Sequence, residues 1–595
     1  MLGFGASSLA QLNPGESADA SAFEQPAQDT LTRPNIVLIL ADDLGFSDIA
    51  SYGGEINTPT LSAMAQDGVS FTNYHTAASC APSRAMLLTG VNSHLAGVPN
   101  IPEMIPPEQS RHANYQGTLG RNVVTVATLL RDAGYHTYMS GKWHLGQTQD
   151  LLPSARGFER TVALADSGAD NWEQKPYLPI YDKANWFADG KEYQLPKDFY
   201  SSRFLVDKAI EFIDSNAADG KPFFTYLPFQ AVHMPVQAPQ EFIDRYMGVY
   251  DAGWTVLRQR RLAGAIALGI VPAETAMVDM ATTANWSELS DERQRYEAKR
   301  MAVYGAMVEA MDHHIGRLIE HLKNIGQYDN TVFIFTSDNG SEASGSANQN
   351  SFLGRRALAS QGYSVDYDTL GLKGSMNTIS PSFASASAAP LSYYKFYVGE
   401  GGMRVPLIIS GTSVAHKQQL THAFAYATDI APTIVQLAGA TAPSGYYGGR
   451  SVESMTGRNL MPLLRGEVDR VYSAQDWVGY ELAGHGALFQ GDYKIVFNRP
   501  PAGDSQWRLF NIVTDPGETQ DLSAEMPSRL QDMLALFAQF ERENSVLPVA
   551  PNYNATQQVA INGLQKKFGP NILIAILTLL VLVTFYFAYR LNNSR

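Results

Sequence analysis

The segment Ser79-Cys80-Ala81-Pro82-Ser83-Arg84-Ala85-Met86-Leu87-Leu88-Thr89-Gly90 carries the only cysteine of the chain, with a proline two positions on and an arginine four positions on. A lone thiol cannot form a disulfide within its own chain and by default is a small buried hydrophobe. Pro82 suits a first helical turn, where its missing amide hydrogen would have no partner, and Ala85 to Leu88 continue that helix toward Gly90. Cys80 is thus expected at a helix N-terminus, where free amides and the helix dipole favour an anion and Arg84 adds a positive charge one turn on. Asp42, Asp43, Asp338 and Asn339 form a second set. All four offer hard oxygen atoms, which suit calcium, or magnesium in a smaller cage, and do not suit zinc. Lys142 and His144 stand two apart, so on an extended strand they face one way, and His233 and Lys395 complete the candidates. Taken singly, each has an ordinary reading: an Asp pair caps a helix, Ser-Asp-Asn-Gly makes a loop, Lys-x-His is a surface lysine beside a core histidine.

Taken together, these residues resemble the type I sulfatases. Cys-x-Pro-Ser-Arg followed by a leucine-rich turn and Thr-Gly matches that family's signature, and Gly141-Lys142-Trp143-His144-Leu145-Gly146 matches a second motif. Lys395 precedes Glu400-Gly401-Gly402-Met403-Arg404-Val405-Pro406 at the family's distance. The likeness is nearest to the bacterial arylsulfatases and takes in Ala155-Arg156-Gly157-Phe158-Glu159-Arg160, Tyr250-Asp251-Ala252-Gly253 and Asp515-Pro516-Gly517-Glu518. It implies an alkaline-phosphatase-like fold and hydrolysis of sulfate esters to an alcohol or phenol plus inorganic sulfate. It also implies that a formylglycine-generating enzyme converts Cys80 to formylglycine, whose hydrate attacks sulfur. A thiolate would end as a stable thiosulfate-like adduct, whereas a geminal diol keeps a second hydroxyl whose deprotonation expels sulfate. The resemblance assigns Asp42, Asp43, Asp338 and Asn339 to one calcium ion and gives Asp338 a further role in taking the nucleophile's proton. Lys142 and Arg84 become cationic partners of the sulfate and the formylglycine, His144 the base that triggers sulfate release, and His233 and Lys395 the pair serving the leaving oxygen. A phosphonate or phosphodiester hydrolase of the same superfamily is the alternative chemistry. An unmodified, membrane-tethered binder of sulfated polymers is the non-enzymatic one.

Four short β-rich runs would position these groups. Residues 35–40 lead into Asp42-Asp43, 136–139 into Gly141-Lys142-Trp143-His144, and 331–335 into Ser337-Asp338-Asn339-Gly340, while 223–227 precede His233. Helix-like stretches lie between them, at 124–133, 204–214 and 297–324. The alternation predicts an α/β domain over residues 34–469, with a mostly parallel central sheet flanked by helices and ligands outside the carboxyl ends of its strands. Residues 241–296 and 341–394 read as long excursions shaping the outer pocket. Residues 470–548 read as a smaller antiparallel α+β subdomain, with strands at 493–497 and 507–512 and a helix whose apolar face is Leu530, Met533, Leu534, Phe537 and Phe540.

The ends differ in kind. Residues 549–570 are expected as a linker, 571–590 as a transmembrane helix and 591–595 as a tail, because Ile572 to Tyr589 is 18 residues without a charge, about 27 Å as a helix. Basic residues flank both ends of that run and set no orientation; a lipid bilayer is thereby an expected partner, with the catalytic domain periplasmic or extracellular. Residues 1–33 read as a flexible segment whose first ten residues look like the tail of an export signal. At 595 residues the chain exceeds one ordinary core. A formal net charge of −14 argues against non-specific nucleic-acid binding and means that an anionic substrate must be drawn by a local cationic pocket.

Overall fold

Asn35-Ile36-Val37-Leu38-Ile39-Leu40-Ala41 is apolar at both alternations, the pattern of a strand covered on two faces. A computed structural model, which describes residues 33–569 apart from 179–180, 344–350, 416 and 502, places this strand at the centre of a large sheet. In chain order the strands are β1 (Asn35–Ala41), β2 (Gly68–Phe71), β3 (Tyr74–His75), β4 (His136–Lys142), β5 (Arg160–Leu164), β6 (Trp186–Ala188), β7 (Lys191–Glu192), β8 (Phe223–Pro228), β9 (Thr331–Ser337), β10 (Leu407–Gly411) and β11 (Gln419–Thr421). All but β3 join one sheet, ordered β11-β2-β10-β9-β1-β8-β4-β5-β6-β7.

The core of that sheet, β9-β1-β8-β4-β5, is parallel. The whole is mixed rather than mostly parallel. β10 runs antiparallel to both β9 and β2, and β6 runs antiparallel to β5 and β7. The β6–β7 connection is Asp189-Gly190, both at positive φ, the tight turn that lets a strand double straight back. Val37 and Ile39 pack toward one layer with Phe204, Phe212, Met301 and Val308 of the helices Ser201–Ser215 and Asp291–Asn324. Ile36, Leu38 and Leu40 pack toward the other, with Leu87 and Leu88 of the helix Cys80–Thr89 and Ile430 and Ile434 of Ile430–Leu437. Alternate side chains of one buried strand thus build two cores, and the only edge left for polar chemistry is the strand ends. Gly141 in β4 is required there, since a Cβ would lie 1.8 Å from the carbonyl oxygen of Pro228.

Short pairs follow: β12 (Ala425–Tyr426) with β3, and β13 (Tyr446–Tyr447) with β14 (Arg450–Ser451). A separate antiparallel sheet then forms from β15 (Trp477–Leu482), β16 (His485–Gln490), β17 (Tyr493–Phe497) and β18 (Trp507–Asn511), covered by the helix Pro527–Glu543 through Met533, Phe537 and Phe540. Residues 555–569 are helical and dock back on the body. No helix among the described residues is long and apolar enough to cross a membrane, and Ile572 to Tyr589 lies outside the described residues, as do residues 1–32.

The small sheet is tied to the large one by buried charge. Lys494 of β17 donates to Glu400 at 2.9 Å and to Glu518 at 3.0 Å, and Glu400 also meets His75 of β3 at 3.0 Å and Arg404 at 3.3 Å. Burial alone would raise the Glu400 carboxyl, but His75 and Lys494 bring it well below the usual carboxylate range. Removing one partner of such a set leaves the others charged and dry. Lys494→Met should therefore cost about 3–5 kcal/mol of stability, read as a lower midpoint in urea unfolding followed by tryptophan fluorescence; an unchanged midpoint would mean that apolar packing alone holds the small sheet.

Candidate functional site

Register brings the acidic residues together. Ala41 pairs with Ser337, so Asp42-Asp43 and Asp338-Asn339 leave adjacent strands at one level. The Asp43 amide donates to Asp338 Oδ1 at 3.2 Å and Asn339 Nδ2 to Asp43 Oδ1 at 2.7 Å; Asp43 itself sits at φ 67°, a left-handed conformation that turns its side chain into the cluster. Gly340 makes room for the next loop, since a Cβ would lie 1.9 Å from the carbonyl oxygen of Gly401.

Cys80 opens the helix Cys80–Thr89 and its Sγ lies 3.7 Å from Asp43 Oδ1. The thiol is not held as an anion: burial pushes it well above its ordinary value despite Lys142 and Lys395. Nor does Arg84 face the sulfur. Its guanidinium is spent on Asp338 Oδ2, at 2.6 and 2.9 Å, with Asp42 at 3.5 Å and the Lys142 carbonyl oxygen at 2.7 Å. Arg84 binds the strand ends to one another.

Lys142 ends β4, and its Nζ donates to both oxygens of Asp42, at 2.6 and 2.9 Å. His144 does not follow on an extended strand. It sits at φ 56°, and both ring nitrogens are buried without a hydrogen-bond partner. Burial first, then Lys142, Arg84 and Lys395, hold His144 well below its ordinary value, so it is neutral. His233 follows β8 with Nδ1 2.7 Å from the Met234 carbonyl oxygen and Nε2 3.8 Å from Asp43. A carbonyl only accepts, so Nδ1 carries the proton. Burial, with Lys142 and Lys395 acting the same way against Asp43, keeps this ring neutral too. Lys395 comes from a loop whose amides bond to Ser341 and, through Phe396, to Ala78 two residues before Cys80; its ammonium lies 2.8 Å from Asp43 and 2.8 Å from Glu342. All ten residues singled out by sequence therefore meet in one buried cluster, none more than 4 % exposed.

Glu342 was not singled out. It lies three residues past Asn339, and that short spacing from an oxygen-ligand motif was the signal that could have found it. Asp43, His233 and Glu342 bring ligand atoms within 4.8 Å of one another, but the Lys395 ammonium already bridges Asp43 and Glu342. The second acidic group, Asp42, Asp43, Cys80 and Asp338, is of another kind. It adjoins Asn339 Oδ1, a buried acceptor with no partner. Among the described residues its three carboxylates and Glu342 form ion pairs with three cations, Arg84, Lys142 and Lys395, while the neutral His233 ring lies 3.8 Å from Asp43. Burial, opposed by Lys142 and Arg84 and aided by Asp338 and Asp43, pushes Asp42 up to about 8. An all-oxygen donor set, one negative charge in excess and an orphaned amide oxygen fit a divalent cation.

Beyond His144 lies a cavity of about 320 Å³, walled by Glu103, Asp166, Tyr181, Asn562 and Lys566 among others. Tyr177 stacks edge-on against His233 at 5.3 Å, and its hydroxyl lies 2.8 Å from Ser167, which reaches Tyr181 at 3.1 Å.

Comparison with known proteins agrees with this geometry. The sulfatase profile matches residues 34–440. An uncharacterized sulfatase of Schizosaccharomyces pombe is 35 % identical over 554 residues, covering 90 % of this chain and 98 % of that protein. An arylsulfatase of Klebsiella aerogenes is 35 % identical over 413 residues, 68 % of this chain and 87 % of its own length. The crystal structure of Ps i-CgsB in complex with k-i-k-neocarrahexaose superposes with a TM-score of 0.62 at 23 % identity, covering 90 % of this chain and 98 % of that one, a likeness of fold alone. With a family profile spanning more than half of its length and a relative 35 % identical over 90 % of it, the chain belongs to the sulfatase family, a family of enzymes that generally uses formylglycine and a divalent metal.

Proposed function

We propose that this sulfatase cleaves sulfate monoesters at the buried cluster around Cys80, with Cys80 carried as formylglycine and one calcium ion held by Asp42, Asp43, Asp338 and Asn339. The observation that carries this reading is the charge count. Four carboxylates against three cations are one charge short; a divalent ion turns the deficit into a surplus of one, which the single negative charge of a sulfate monoester cancels. The hydrated aldehyde supplies a nucleophilic hydroxyl, and the cation supplies Lewis-acidic charge for a sulfate oxygen.

The chain's own residues then divide the work. Arg84 fixes Asp338 and Asp42 so that their oxygens hold position without cost at the moment of reaction. Lys142 and Lys395 bring ammonium charge to the sulfate. Lys395 stays a charged ammonium that can hydrogen-bond the leaving oxygen, because Asp43, Cys80 and Glu342 hold it well above its ordinary value against the cost of burial. His233, with Nδ1–H committed to Met234, presents Nε2 as an acceptor and donates there only once it has taken a proton from solvent, a step that a bound anionic substrate favours. His144, neutral and with unpartnered nitrogens, is free to take a proton and trigger sulfate release. Calcium is favoured over magnesium because three carboxylates and an amide oxygen in a water-poor cage suit an ion that tolerates irregular, anhydrous coordination. The uncharged run 572–589 supports a single-pass membrane anchor, which would hold the catalytic body at a periplasmic or extracellular membrane face.

Cys80→Ala should lower turnover of 4-nitrophenyl sulfate by at least about a thousandfold with an unchanged circular dichroism spectrum, and peptide mass spectrometry of the wild type should show the conversion of Cys80; an active Ala variant would defeat the mechanism. Chelation should abolish turnover and lower the thermal midpoint, and calcium at about 100 times its dissociation constant should restore roughly 2.7 kcal/mol of stability, with magnesium restoring less. A midpoint indifferent to both ions would remove the metal from the scheme. Glu342→Gln should reduce kcat about tenfold while leaving the midpoint within a few degrees, since it loosens the ammonium that faces the leaving oxygen.

A further inference from the structure

The helix over 555–569 presents an apolar face outward. Ile561, Leu564 and Phe568 recur at helical spacing, so they form one stripe, and each is close to half exposed. The other side is fastened to the body: Asn562 Nδ2 donates to the carbonyl oxygens of Glu103 and Ile105, both at 2.9 Å, and the Tyr553 hydroxyl to that of Met104 at 2.8 Å. Just upstream, Gln109 donates to the carbonyl oxygens of Leu547 and Pro548, at 3.2 and 3.0 Å. A stretch whose composition reads as a linker therefore holds its apolar stripe at a fixed place on the surface.

A second apolar point lies close by. Phe352 and Leu353, 73 and 78 % exposed, are the most exposed large hydrophobic residues among those described, and they open the helix Phe352–Ser360 with exposed Arg355 and Arg356 behind them. That helix packs through Leu358 into a cluster with Tyr177, Tyr181, Tyr363 and Met376, and the Lys566 ammonium lies 4.8 Å from the centre of the Tyr181 ring. One aromatic cluster thus joins both helices.

The sequence around the stripe says what chemistry covers it. After Glu543 no acidic residue occurs, while Lys566, Lys567, Arg590 and Arg595 do, in a chain whose formal net charge is −14. Only Pro570 and Asn571 separate Gly569 from the uncharged run 572–589, so covalent reach keeps Ile572 within about 11 Å of the helix end. A headgroup layer is itself roughly 5–7 Å deep. A bilayer that holds the run therefore reaches the stripe. A second copy of the chain would set Lys566 and Lys567 near their own counterparts, a like-charge arrangement that costs affinity. The run folded back on the stripe would cover one side of a segment that is apolar all round and leave the other side wet. A bilayer surface accepts both the apolar side chains and the basic ones beside them.

We infer that Ile561, Leu564 and Phe568, together with Phe352 and Leu353, rest in the surface of the anionic bilayer that holds the run 572–589, and so fix the orientation of the catalytic body on the membrane. The helix over 555–569 also walls the cavity beside His144, so this docking keeps that cavity at membrane level. The inference rests on the anchor reading. It is tested on the full-length protein in vesicles of phosphatidylcholine and phosphatidylglycerol in equal parts, with the environment-sensitive fluorophore NBD attached at Leu353→Cys, Leu564→Cys and, as control, Tyr446→Cys; Cys80 is buried and shielded from the label. Tyr446 is exposed on the β13–β14 hairpin, where its neighbour Tyr447 donates to Asp132, just before the amino end of β4 and so at the opposite end of the sheet from His144. The labels at positions 353 and 564 should shift to the blue, lose fluorescence to nitroxide-bearing lipid and escape quenching by iodide, and the label at position 446 should stay open to iodide and untouched by the lipid. Either of the first two labels behaving as the third does overturns the docking, and flotation with the vesicles through a carbonate wash then leaves the anchor standing. Labels shielded from iodide yet untouched by nitroxide lipid mean that protein covers the stripe, which also overturns it. A chain that carbonate strips from the vesicles overturns anchor and docking together.

Discussion

Everything at this site depends on keeping charge balanced where water cannot. Asp42, Asp43 and Asp338 are fully buried, and so are Arg84 and Lys142. An isolated carboxylate in such surroundings gives up its charge rather than stay ionised. Asp42 does lean that way, whereas Asp43, held by Lys395 against the same burial, stays well below the usual range. Two adjacent aspartates with opposite tendencies mark a cluster one cation short of neutrality. The fold meets that constraint by delivering the charges from the ends of β1, β4 and β9, from the helix Cys80–Thr89 and from the loop that carries Lys395.

That requirement explains which parts of the site were legible in the sequence. Asp42-Asp43, Lys142 and Asp338-Asn339 lie within two residues of apolar strands, and the rule that parallel sheets present function at their carboxyl ends places them correctly. Cys80 at the head of its helix follows from Pro82 and Gly90 alone. What spacing cannot show is where a side chain goes once neighbours compete for it. Arg84 is one turn from Cys80 along the helix yet serves Asp338, because a buried carboxylate attracts a guanidinium more strongly than a neutral thiol does. The shared direction of Lys142 and His144 assumed an extended chain, but His144 takes positive φ. Glu342 escaped notice because its one local signal, the short spacing from Asn339, sits in a Ser- and Gly-rich loop; the lysine that meets it comes from the distant loop before Glu400.

The fold was legible to a similar depth. Strands with continuous apolar runs announce a sheet buried on both faces, but β6, β7, β10 and β11 are short or edge strands, and their direction is set by connections rather than by composition. The parallel centre was therefore readable and the mixed periphery was not. The small sheet was visible as strands and a helix, whereas its role was not: Lys494 reaches across to Glu400, at the start of the helix Glu400–Met403, and the Tyr480 hydroxyl oxygen of β15 accepts from the Ala78 amide at 3.1 Å, two residues before Cys80. The sheet braces both the loop that ends in Lys395 and the turn that presents the sulfur.

These two layers of constraint separate the site into halves with different freedom. At the sulfate end, changing any one charge unbalances six others in a dry cage, so the chemistry is locked to a particular sum of charges. Beyond His144 the cavity walls come from loops and the helix over 555–569, which among the described residues share no ion pair with the cage and whose hydrogen bonds run mainly to backbone carbonyls. A side chain exchanged there leaves the ion pairs of the cage intact, which is the physical condition for one catalytic cluster to serve different esters. The two sides meet at His144 and along the run from His233 through the Tyr177 ring, Ser167 and Tyr181 to Glu103. Of that run Ser167, Tyr181 and Glu103 line the cavity and Tyr177 does not, so the space connects with His233 through a chain of contacts and not by direct touch.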